Sequence, residues 1–340
     1  MDKTKRKKLP LAVRLLLVLL VITALLMLTV LGLWLHGRSS MSSVDAPAPE
    51  AADGEIISYQ GQEYRYRKDM INIVLMGIDA DGLPEAGSRD QADVILLASL
   101  DPTDGTLSLL SLSRDTLCDM EVLHDDGTTA LTRGQLALSY AYGDGLHESC
   151  RLTCQAVSNL FYGLPIHGYG AFYMSGIGPL NDAVGGVTVT VISDFPFHHV
   201  AGCYNMIEGQ EVTLTSLQAQ LYIRARMEEQ ADANDLRIVR QKQYLMALID
   251  RCLTLTQENP TQLLNVYNTV SPYLLTDLSF SRIAYLATQS LELSFDGEVH
   301  SLPGTLSLNE ENQAVLTLDQ AALLDWMVNT FYRPVTDEVS

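Results

Sequence analysis

The chain has 340 residues and is strongly acidic, with 22 lysines and arginines, 41 aspartates and glutamates and a net charge of −19. Nucleic-acid phosphates require a basic surface, so this charge balance argues against a nucleic-acid-binding protein. Hydrophobic residue types make up 47% of the chain. That share, over a chain of this length, is enough for one large buried core.

The first recognisable feature is an uncharged apolar run over residues 15–35, LLLVLLVITALLMLTVLGLWL. As a helix this run would measure about 30 Å, the thickness of a bilayer core, so it predicts one transmembrane helix. Residues 1–14 carry six basic side chains against Asp2 alone, which predicts a cytoplasmic N-terminus and an external remainder. A cleaved signal peptide is the alternative, but the run is longer than an ordinary signal core.

Residues 36–54 are small, acidic and proline-bearing, a composition that predicts a flexible stalk. Without residues 1–38, which hold seven basic residues and one acidic residue, the chain keeps 15 basic and 40 acidic residues and a net charge of −25. A local group of arginines in so acidic a protein needs a reason, and an anionic ligand supplies one.

The five cysteines are an odd number, so at least one is unpaired within a monomer. Cys150 and Cys154 lie one helical turn apart and form a poor pair, whereas a link between Cys118 and Cys150 stays open. Their spacing relative to histidines does not predict a zinc site. We therefore expect structural thiols.

The folded part begins with a predicted hairpin around Gln60 and Gly61. Three short apolar runs follow, and they predict strands covered on both faces. The next segments predict two helices that stop near Gly143 and Gly163. The three strands are Ile71–Asp79, Val94–Asp101 and 106–116, and the two helices are 134–142 and 149–162.

The middle of the chain predicts a short helix after Met174, a break at Gly185-Gly186 and a strand through Val187–Val191. A loop (195–208), a helix (217–222) and a polar stretch (227–235) come next. A long helix then presents Leu245, Leu248, Ile249 and Cys252 as its core stripe. Residues 261–270, 279–293 and 317–331 predict further amphipathic helices. We expect a domain over 55–255 and a helical extension over 256–340 packed on it.

Two groups of arginines are the strongest candidates for a functional site. Arg224 and Arg226, two residues apart, share one face if their segment is extended. Arg237, Arg240, Gln241 and Tyr244 form one polar stripe of the long helix. Arg114 ends the third buried strand. Each arginine alone fits a surface ion pair, but together they favour a diphosphate site, because a guanidinium donates two hydrogen bonds to a phosphate.

Two aspartates are candidate metal ligands. Asp79 ends the first buried strand, and Asp93 stands just before the second. If these strands are parallel neighbours, both carboxylates lie at one rim of the sheet, where α/β proteins bind ligands. Carboxylate, phosphate and water oxygens form a normal Mg²⁺ shell. A turn-forming or helix-capping role is the alternative for either aspartate.

Seven segments, taken in order, resemble the LytR-CpsA-Psr family over roughly residues 70–250. They are INIVLMGID, DQADV, SLSRDT, SYAYGDG, LNDAVGGVTVTV, YIRAR and RIVRQ. The resemblance implies a three-layer α/β/α fold with a central mixed sheet and an apolar cavity for a polyprenyl chain. We expect Met174, Ile177 and Val184 among the cavity's lining residues, and its opening near Arg114.

The resemblance also implies a bacterial cell-membrane phosphotransferase with one transmembrane pass. Such an enzyme moves a glycopolymer, such as teichoic acid or capsule, from an undecaprenyl diphosphate carrier to peptidoglycan. The implied cofactor is Mg²⁺ or Mn²⁺ at Asp79 and Asp93. The implied diphosphate clamp is Arg114, Arg224, Arg226, Arg237, Arg240 and Gln241.

The sequence departs from the family pattern at several places. Gln91-Ala92-Asp93 replaces the usual Arg-Ser-Asp, and Gln135-Leu136-Ala137 replaces Lys-Ile-Asn. Asp115 and Asp235 are the candidate catalytic carboxylates, beside Arg114, because the acceptor hydroxyl needs a general base. A lipid-diphosphate hydrolase and a non-catalytic surface sensor or wall-binding module are the alternative functions.

Overall fold

The computed structural model describes residue 32 and residues 35–41, 56–124, 126–193, 206–224, 233–258, 260–290, 294–309 and 312–335. The predicted basic segment (1–14), nearly all of the predicted transmembrane run (15–35) and most of the predicted stalk lie outside these ranges. Within them, we find no helix with the length and apolar character needed to cross a membrane.

The described part of the chain alternates between strands and helices. The strands are β1 (Ile56–Tyr59), β2 (Gln62–Tyr66), β3 (Ile71–Ile78), β4 (Ala92–Asp101), β5 (Thr106–Leu112), β6 (Leu117–Leu123), β7 (Thr129–Gln135), β8 (Gly168–Tyr173), β9 (Thr188–Thr190), β10 (Glu211–Thr213), β11 (Leu274–Thr276), β12 (Ser294–Ser301), β13 (Gly304–Leu308), β14 (Ala314–Leu318) and β15 (Tyr332–Pro334). The helices are α1 (Leu138–Ala141), α2 (His147–Leu160), α3 (Ile177–Ala183), α4 (Ser216–Arg224), α5 (Ala233–Glu258), α6 (Pro260–Val270), α7 (Phe280–Ser290) and α8 (Gln320–Phe331).

A six-stranded mixed sheet in the order β11-β8-β3-β4-β5-β12 forms the centre of the fold. The three predicted apolar strands are its middle, β3, β4 and β5, and they are hydrophobic on both faces because helices cover both faces. They are antiparallel neighbours, not parallel ones. β8 joins β3 and β12 joins β5 in parallel, so the predicted central mixed sheet is confirmed.

Smaller sheets surround the centre. The predicted hairpin at Gln60-Gly61 is β1–β2, and both turn residues have positive φ, as a two-residue hairpin turn requires. The predicted helix at 134–142 is wrong in its first part, because residues up to Gln135 form β7 and pair with β6. Only Leu138–Ala141 is helical there. The alternation in this hairpin is too irregular to predict strands from sequence.

The predicted C-terminal extension is not purely helical. Its three predicted helices are present as α6, α7 and α8. However, β11 and β12 from the same region are strands of the central sheet, paired with β8 and β5. The described residues within 46–277 and 294–340 form one compact unit.

The described residues within 1–45 and 278–293 form a second compact unit. Residues 35–41 are helical there, so the predicted flexible stalk is wrong for 36–41. Arg282 of α7 donates to Ser40 Oγ at 2.8 Å and to the Ser40 carbonyl at 2.6 Å. A side chain on Gly37 would collide with the Ser281 carbonyl, so the two segments approach closely because residue 37 is glycine.

Cys118, Cys150 and Cys154 are free thiols, and Cys203 lies outside the described ranges. The open Cys118 to Cys150 link is therefore not formed. Burial raises the pKa of both these thiols to about 12. They stay protonated at neutral pH and act as core residues, as expected.

Asp101 ties the central sheet to the small β1–β2–β15 sheet. It is buried at the end of β4 and accepts hydrogen bonds from the amides of Thr103 at 2.8 Å and Asp104 at 3.1 Å. Arg67 at 2.9 Å and Arg333 at 3.2 Å bind the same carboxylate. Burial acts to raise the pKa of Asp101, but these hydrogen bonds and ion pairs outweigh it and hold the pKa below its ordinary value of 3.8.

We predict that Asp101→Asn lowers the free energy of unfolding by about 1.5–3 kcal/mol at pH 7, the scale of a hydrogen bond to a charged group. Because the folded pKa is depressed, this stabilisation is present above about pH 4 and is lost as the pH falls through the folded pKa. Urea unfolding of the purified full chain at pH 7 and pH 3 measures both effects.

Asp104→Asn is the matched control, because the Asp104 side chain is 44% exposed and contacts the same two arginines. It should cost less than about 1 kcal/mol. An Asp101→Asn loss that is equal at both pH values would contradict the prediction.

Candidate functional site at the edge of the central sheet

The two candidate metal ligands lie at the same edge of the central sheet. β3 and β4 are antiparallel, with Gly77 opposite Val94 and Ile78 opposite Ala92. Asp93 is thus the extra residue of a bulge, a feature that redirects a side chain, and Asp79 follows directly after Ile78. Parallel strands would have put the end of β3 and the start of β4 at opposite edges. Antiparallel pairing therefore places both aspartates at the same edge of the sheet.

Arg114 reaches the same edge from β5. Ile95 pairs with Leu112 in the antiparallel β4–β5 ladder, so continuing the register by two residues places Arg114 opposite Asp93. The Arg114 guanidinium forms an ion pair with the Asp93 carboxylate and donates to Gln91 Oε1 at 2.8 Å. Its Nε lies 3.7 Å from Asp115 Oδ1. The predicted grouping of Arg114, Asp93 and Asp115 is therefore present.

Arg224 forms an ion pair with the other candidate metal ligand, Asp79. It is the last residue of helix α4, so the predicted extended segment is wrong at this position. Its guanidinium binds Asp79 Oδ1 and Asp81 Oδ1, each at 2.9 Å. Burial acts to lower the pKa of Arg224, but the bonds to Asp81 and Asp79 more than offset it and raise the pKa above its ordinary value. Arg226 lies outside the described residues.

Only some of the candidate residues on helix α5 line the site. Arg237 and Gln241 line a polar pocket together with Arg114. Arg240 is buried instead: its Nε donates to the Tyr222 carbonyl at 2.8 Å, and its guanidinium lies 5.8 Å from the centre of the Tyr222 ring. Tyr244 is also buried, so the predicted polar stripe is divided between the pocket and the interior. Burial lowers the pKa of Arg240, with a further contribution from Arg237.

The polar pocket has a volume of about 540 Å³ and lies between β5, β7, α5 and the segment after β12. Asp115 lines it and accepts a hydrogen bond from Gln135 Nε2 at 3.0 Å. The same Gln135 nitrogen donates to the Ala314 carbonyl at 2.7 Å, so both of its hydrogens are used. Gln135 consequently holds Asp115 in a defined orientation. The candidate base Asp235 is the third residue of α5, and its side chain lies outside the described residues.

An apolar cavity of about 330 Å³ lies between the sheet and helices α3 and α5. The prediction is confirmed for Met174 and Ile177, whereas Val184 is part of the packed core. Glycines on the sheet create the space: Gly170 of β8 sits opposite Leu75 of β3 and has no side chain to fill it.

The cavity and the polar pocket are joined. Five residues line both: Val94, Ser111, Ile238, Gln241 and Lys242. The cavity therefore opens beside the pocket that holds Arg114, as the sequence predicts. Together they form one binding space with an apolar end and a polar, cation-bearing end. Such a space matches an amphiphile with an anionic head group.

Sequence reasoning missed Lys242 and Gln135 as site residues. Lys242 follows Gln241 in α5 but is not on the predicted face of Arg237, Arg240, Gln241 and Tyr244, so a helix-face argument does not include it. Gln135 was assigned to a helix, and only its place at the end of β7 turns it towards Asp115. Of these two residues only Lys242 adjoins a candidate, Gln241, in the sequence, so a search of sequence neighbours would have found Lys242 but not Gln135.

The residues present suit Mg²⁺ only in company with other oxygen donors. Asp79 and Asp93 supply hard carboxylate ligands, but each already binds an arginine. Among the described histidines, cysteines, aspartates and glutamates, no group of three or more is arranged to hold a metal ion. Phosphate oxygens and water would have to complete the shell.

Comparison with known proteins identifies the family of this chain. A model of the LytR-CpsA-Psr family matches residues 34–329. The polyisoprenyl-teichoic acid–peptidoglycan teichoic acid transferase TagU of Oceanobacillus iheyensis is 28% identical over 252 residues, which cover 73% of this chain and 71% of that protein.

Solved structures show the same fold. TagV of Bacillus subtilis superposes with a TM-score of 0.57 at 23% identity, over 76% of this chain and 94% of that one. A structure described as TagT bound to LI-WTA gives a TM-score of 0.56 at 21% identity, over 78% of this chain and 91% of that one.

We predict that Gly170→Leu fills the apolar cavity and weakens binding of decyl phosphate at least tenfold, since each CH₂ denied burial costs about 0.8 kcal/mol. Gly170→Ala should bind normally, because its added Cβ would lie 3.5 Å from Leu75 Cδ2, an ordinary contact. Calorimetric titration of the full chain in lipid nanodiscs measures the affinities. Unchanged binding by a folded Gly170→Leu variant would rule out this cavity as the chain-binding site.

Proposed function

Because this chain belongs to the LytR-CpsA-Psr family, we propose that it transfers a glycopolymer from a polyprenyl diphosphate carrier to peptidoglycan. The relative from Oceanobacillus iheyensis is named for this type of reaction. Teichoic acid is the polymer in that name, and we propose a polymer of the same anionic, lipid-linked class as the substrate here.

The observation that carries the proposal is the union of the apolar cavity with the polar pocket. The apolar end matches an isoprenoid chain in chemistry, and Arg114, Arg237 and Gln241 lie at the polar end. A polyprenyl diphosphate has the same two-part chemistry. Neither a soluble sugar phosphate nor a neutral lipid would use both ends.

Arg114 and Arg237 bind and orient the diphosphate in this proposal, with Gln241 as a further donor. Arg224 holds Asp79 beside them. Arg240 acts through position: its bond to the Tyr222 carbonyl and its stacking on the Tyr222 ring hold α5 against α4. A diphosphate role for Arg226 stays a prediction from the resemblance.

The reaction requires an acceptor oxygen to attack the glycan-bearing phosphorus. A new phosphorus–oxygen bond forms, the bond from that phosphorus to the bridging oxygen breaks, and polyprenyl phosphate leaves with the electron pair. The acceptor proton goes to a carboxylate, and we assign that role to Asp115 because it lines the pocket and Gln135 orients it. Asp235 stays the alternative base.

Mg²⁺, or Mn²⁺, is proposed at Asp79 and Asp93, where it would neutralise charge on the diphosphate. The membrane is proposed as the site of action, because the carrier lipid resides there and residues 15–35 predict an anchor. The positive residues at 3–14 support a cytoplasmic N-terminus and an external catalytic unit.

Arg114→Gln should slow transfer roughly 10- to 150-fold, which corresponds to losing about 1.5–3 kcal/mol of a charge-assisted hydrogen bond. The assay incubates the full chain in nanodiscs with a lipid-diphosphate glycan, peptidoglycan fragments and Mg²⁺, and measures the covalent adduct by mass spectrometry. Arg133→Gln is the control, because Arg133 on β7 is 62% exposed and lies outside both cavities.

The same assay separates the alternatives. Release of polyprenyl phosphate without an adduct would indicate a hydrolase. A wild-type protein that binds the lipid and releases nothing would indicate a sensor or wall-binding module. Equal rates for Arg114→Gln and wild type would contradict the assigned site.

Asp93→Asn should abolish the stimulation of turnover by Mg²⁺, because a neutral amide is a weaker ligand for a hard cation. Lipid binding measured in EDTA should persist, since the arginines remain. A magnesium titration of turnover tests this expectation. A variant that responds to Mg²⁺ with the wild-type midpoint would exclude Asp93 as a ligand.

A further inference from the structure

Lys242 occupies the boundary between the apolar cavity and the polar pocket. It is partly buried on α5, and among the described residues that line both spaces it alone carries a charge. Its ammonium donates to the Val299 carbonyl at 3.2 Å. This bond to β12 holds the head of the side chain at the junction while its methylene stem borders the apolar space.

The charge of Lys242 is balanced differently from that of Arg114. Arg114 forms an ion pair with Asp93 and lies 3.7 Å from Asp115. None of the ion pairs formed among the described residues includes Lys242. Its described partner is a neutral carbonyl, which satisfies one of three N–H donors and supplies no counter-charge. A cation beside an apolar wall is costly unless an anion joins it.

The order of groups along an amphiphilic lipid indicates which of its anionic groups would pair with Lys242. When the hydrocarbon chain of a lipid occupies the apolar cavity, the first polar group of that lipid must lie where the apolar lining ends. Lys242 lies at that point, whereas Arg114 and Asp115 lie in the polar pocket and do not line the apolar cavity. The first phosphate after the chain is thus nearest to Lys242, and the second phosphate is nearest to Arg114.

We propose that Lys242 binds the chain-proximal phosphate of the lipid carrier, the phosphate that leaves as polyprenyl monophosphate. The assignment rests on the proposed function and deepens it. When the bond between the glycan-bearing phosphorus and the bridging oxygen breaks, the electron pair stays on the oxygen of the chain-proximal phosphate. The Lys242 ammonium stabilises that new negative charge and also holds the monophosphate product.

Binding of two short lipids tests the assignment without turnover. Farnesyl monophosphate has only the chain-proximal phosphate, and farnesyl diphosphate has both. Titrations use the full chain in nanodiscs, without metal. Lys242→Met should weaken both lipids by a similar factor of about tenfold or more, because it removes a charged donor but keeps the apolar stem. Lys242→Arg should restore most of the affinity. Arg114→Gln should weaken the diphosphate much more than the monophosphate.

Lys68→Met is the matched control, because Lys68 is exposed and lies outside both cavities; it should bind both lipids like wild type. Monophosphate affinity within about twofold of wild type in Lys242→Met would overturn the assignment, as would a loss confined to the diphosphate. If transfer activity is present in either case, the proposed function survives and only the role of Lys242 fails. A wild-type protein that binds neither lipid overturns both.

Discussion

The antiparallel register of β3, β4 and β5 is the constraint on which the site depends. It sets Asp93 in a bulge next to the end of β3 and places Arg114 opposite Asp93. A shift of one residue would turn every side chain of a strand to the other face. The apolar residues on both faces of these strands oppose such a shift, because each face is covered by its own hydrophobic cluster. Core packing thereby fixes the geometry of the charged site.

Carboxylate partners balance the positive charge of the arginines at the site, in a protein whose net charge is −19. Arg114 and Arg224 are held by Asp93 and by Asp79 with Asp81, so each brings its own counter-charge. Such pairs keep the guanidinium groups oriented before a ligand arrives. Orientation in advance lowers the cost of binding a diphosphate. Lys242 differs, because its described partner is the neutral Val299 carbonyl, and in our proposal the phosphate of the ligand supplies its counter-charge.

The apolar cavity is a departure from the dense packing of protein interiors. Leu75, in the middle of a central strand, is 37% exposed because it faces this space. Leaving apolar surface unburied has a cost in stability, so a cavity of this kind signals a ligand that completes the packing. The glycines at 77 and 170 maintain it, since a strand residue of ordinary size would close it. Stability and function are therefore in tension at these positions.

The sequence alone determined the elements whose signals are local. The three apolar strands, the Gln60-Gly61 hairpin, helices α2, α4, α5 and α8, and the candidates Asp79, Asp93, Arg114 and Arg237 all follow from composition and periodicity along short windows. The tertiary structure decided what depends on partners far along the chain. The strand direction between β3 and β4, the insertion of β12 beside β5, the burial of Arg240 against Tyr222 and the turn of Gln135 towards Asp115 are such features. These features share one physical reason. The position of a side chain or an edge strand is fixed by the neighbour that completes its hydrogen bonds or its packing, and that neighbour comes from a distant segment of the chain.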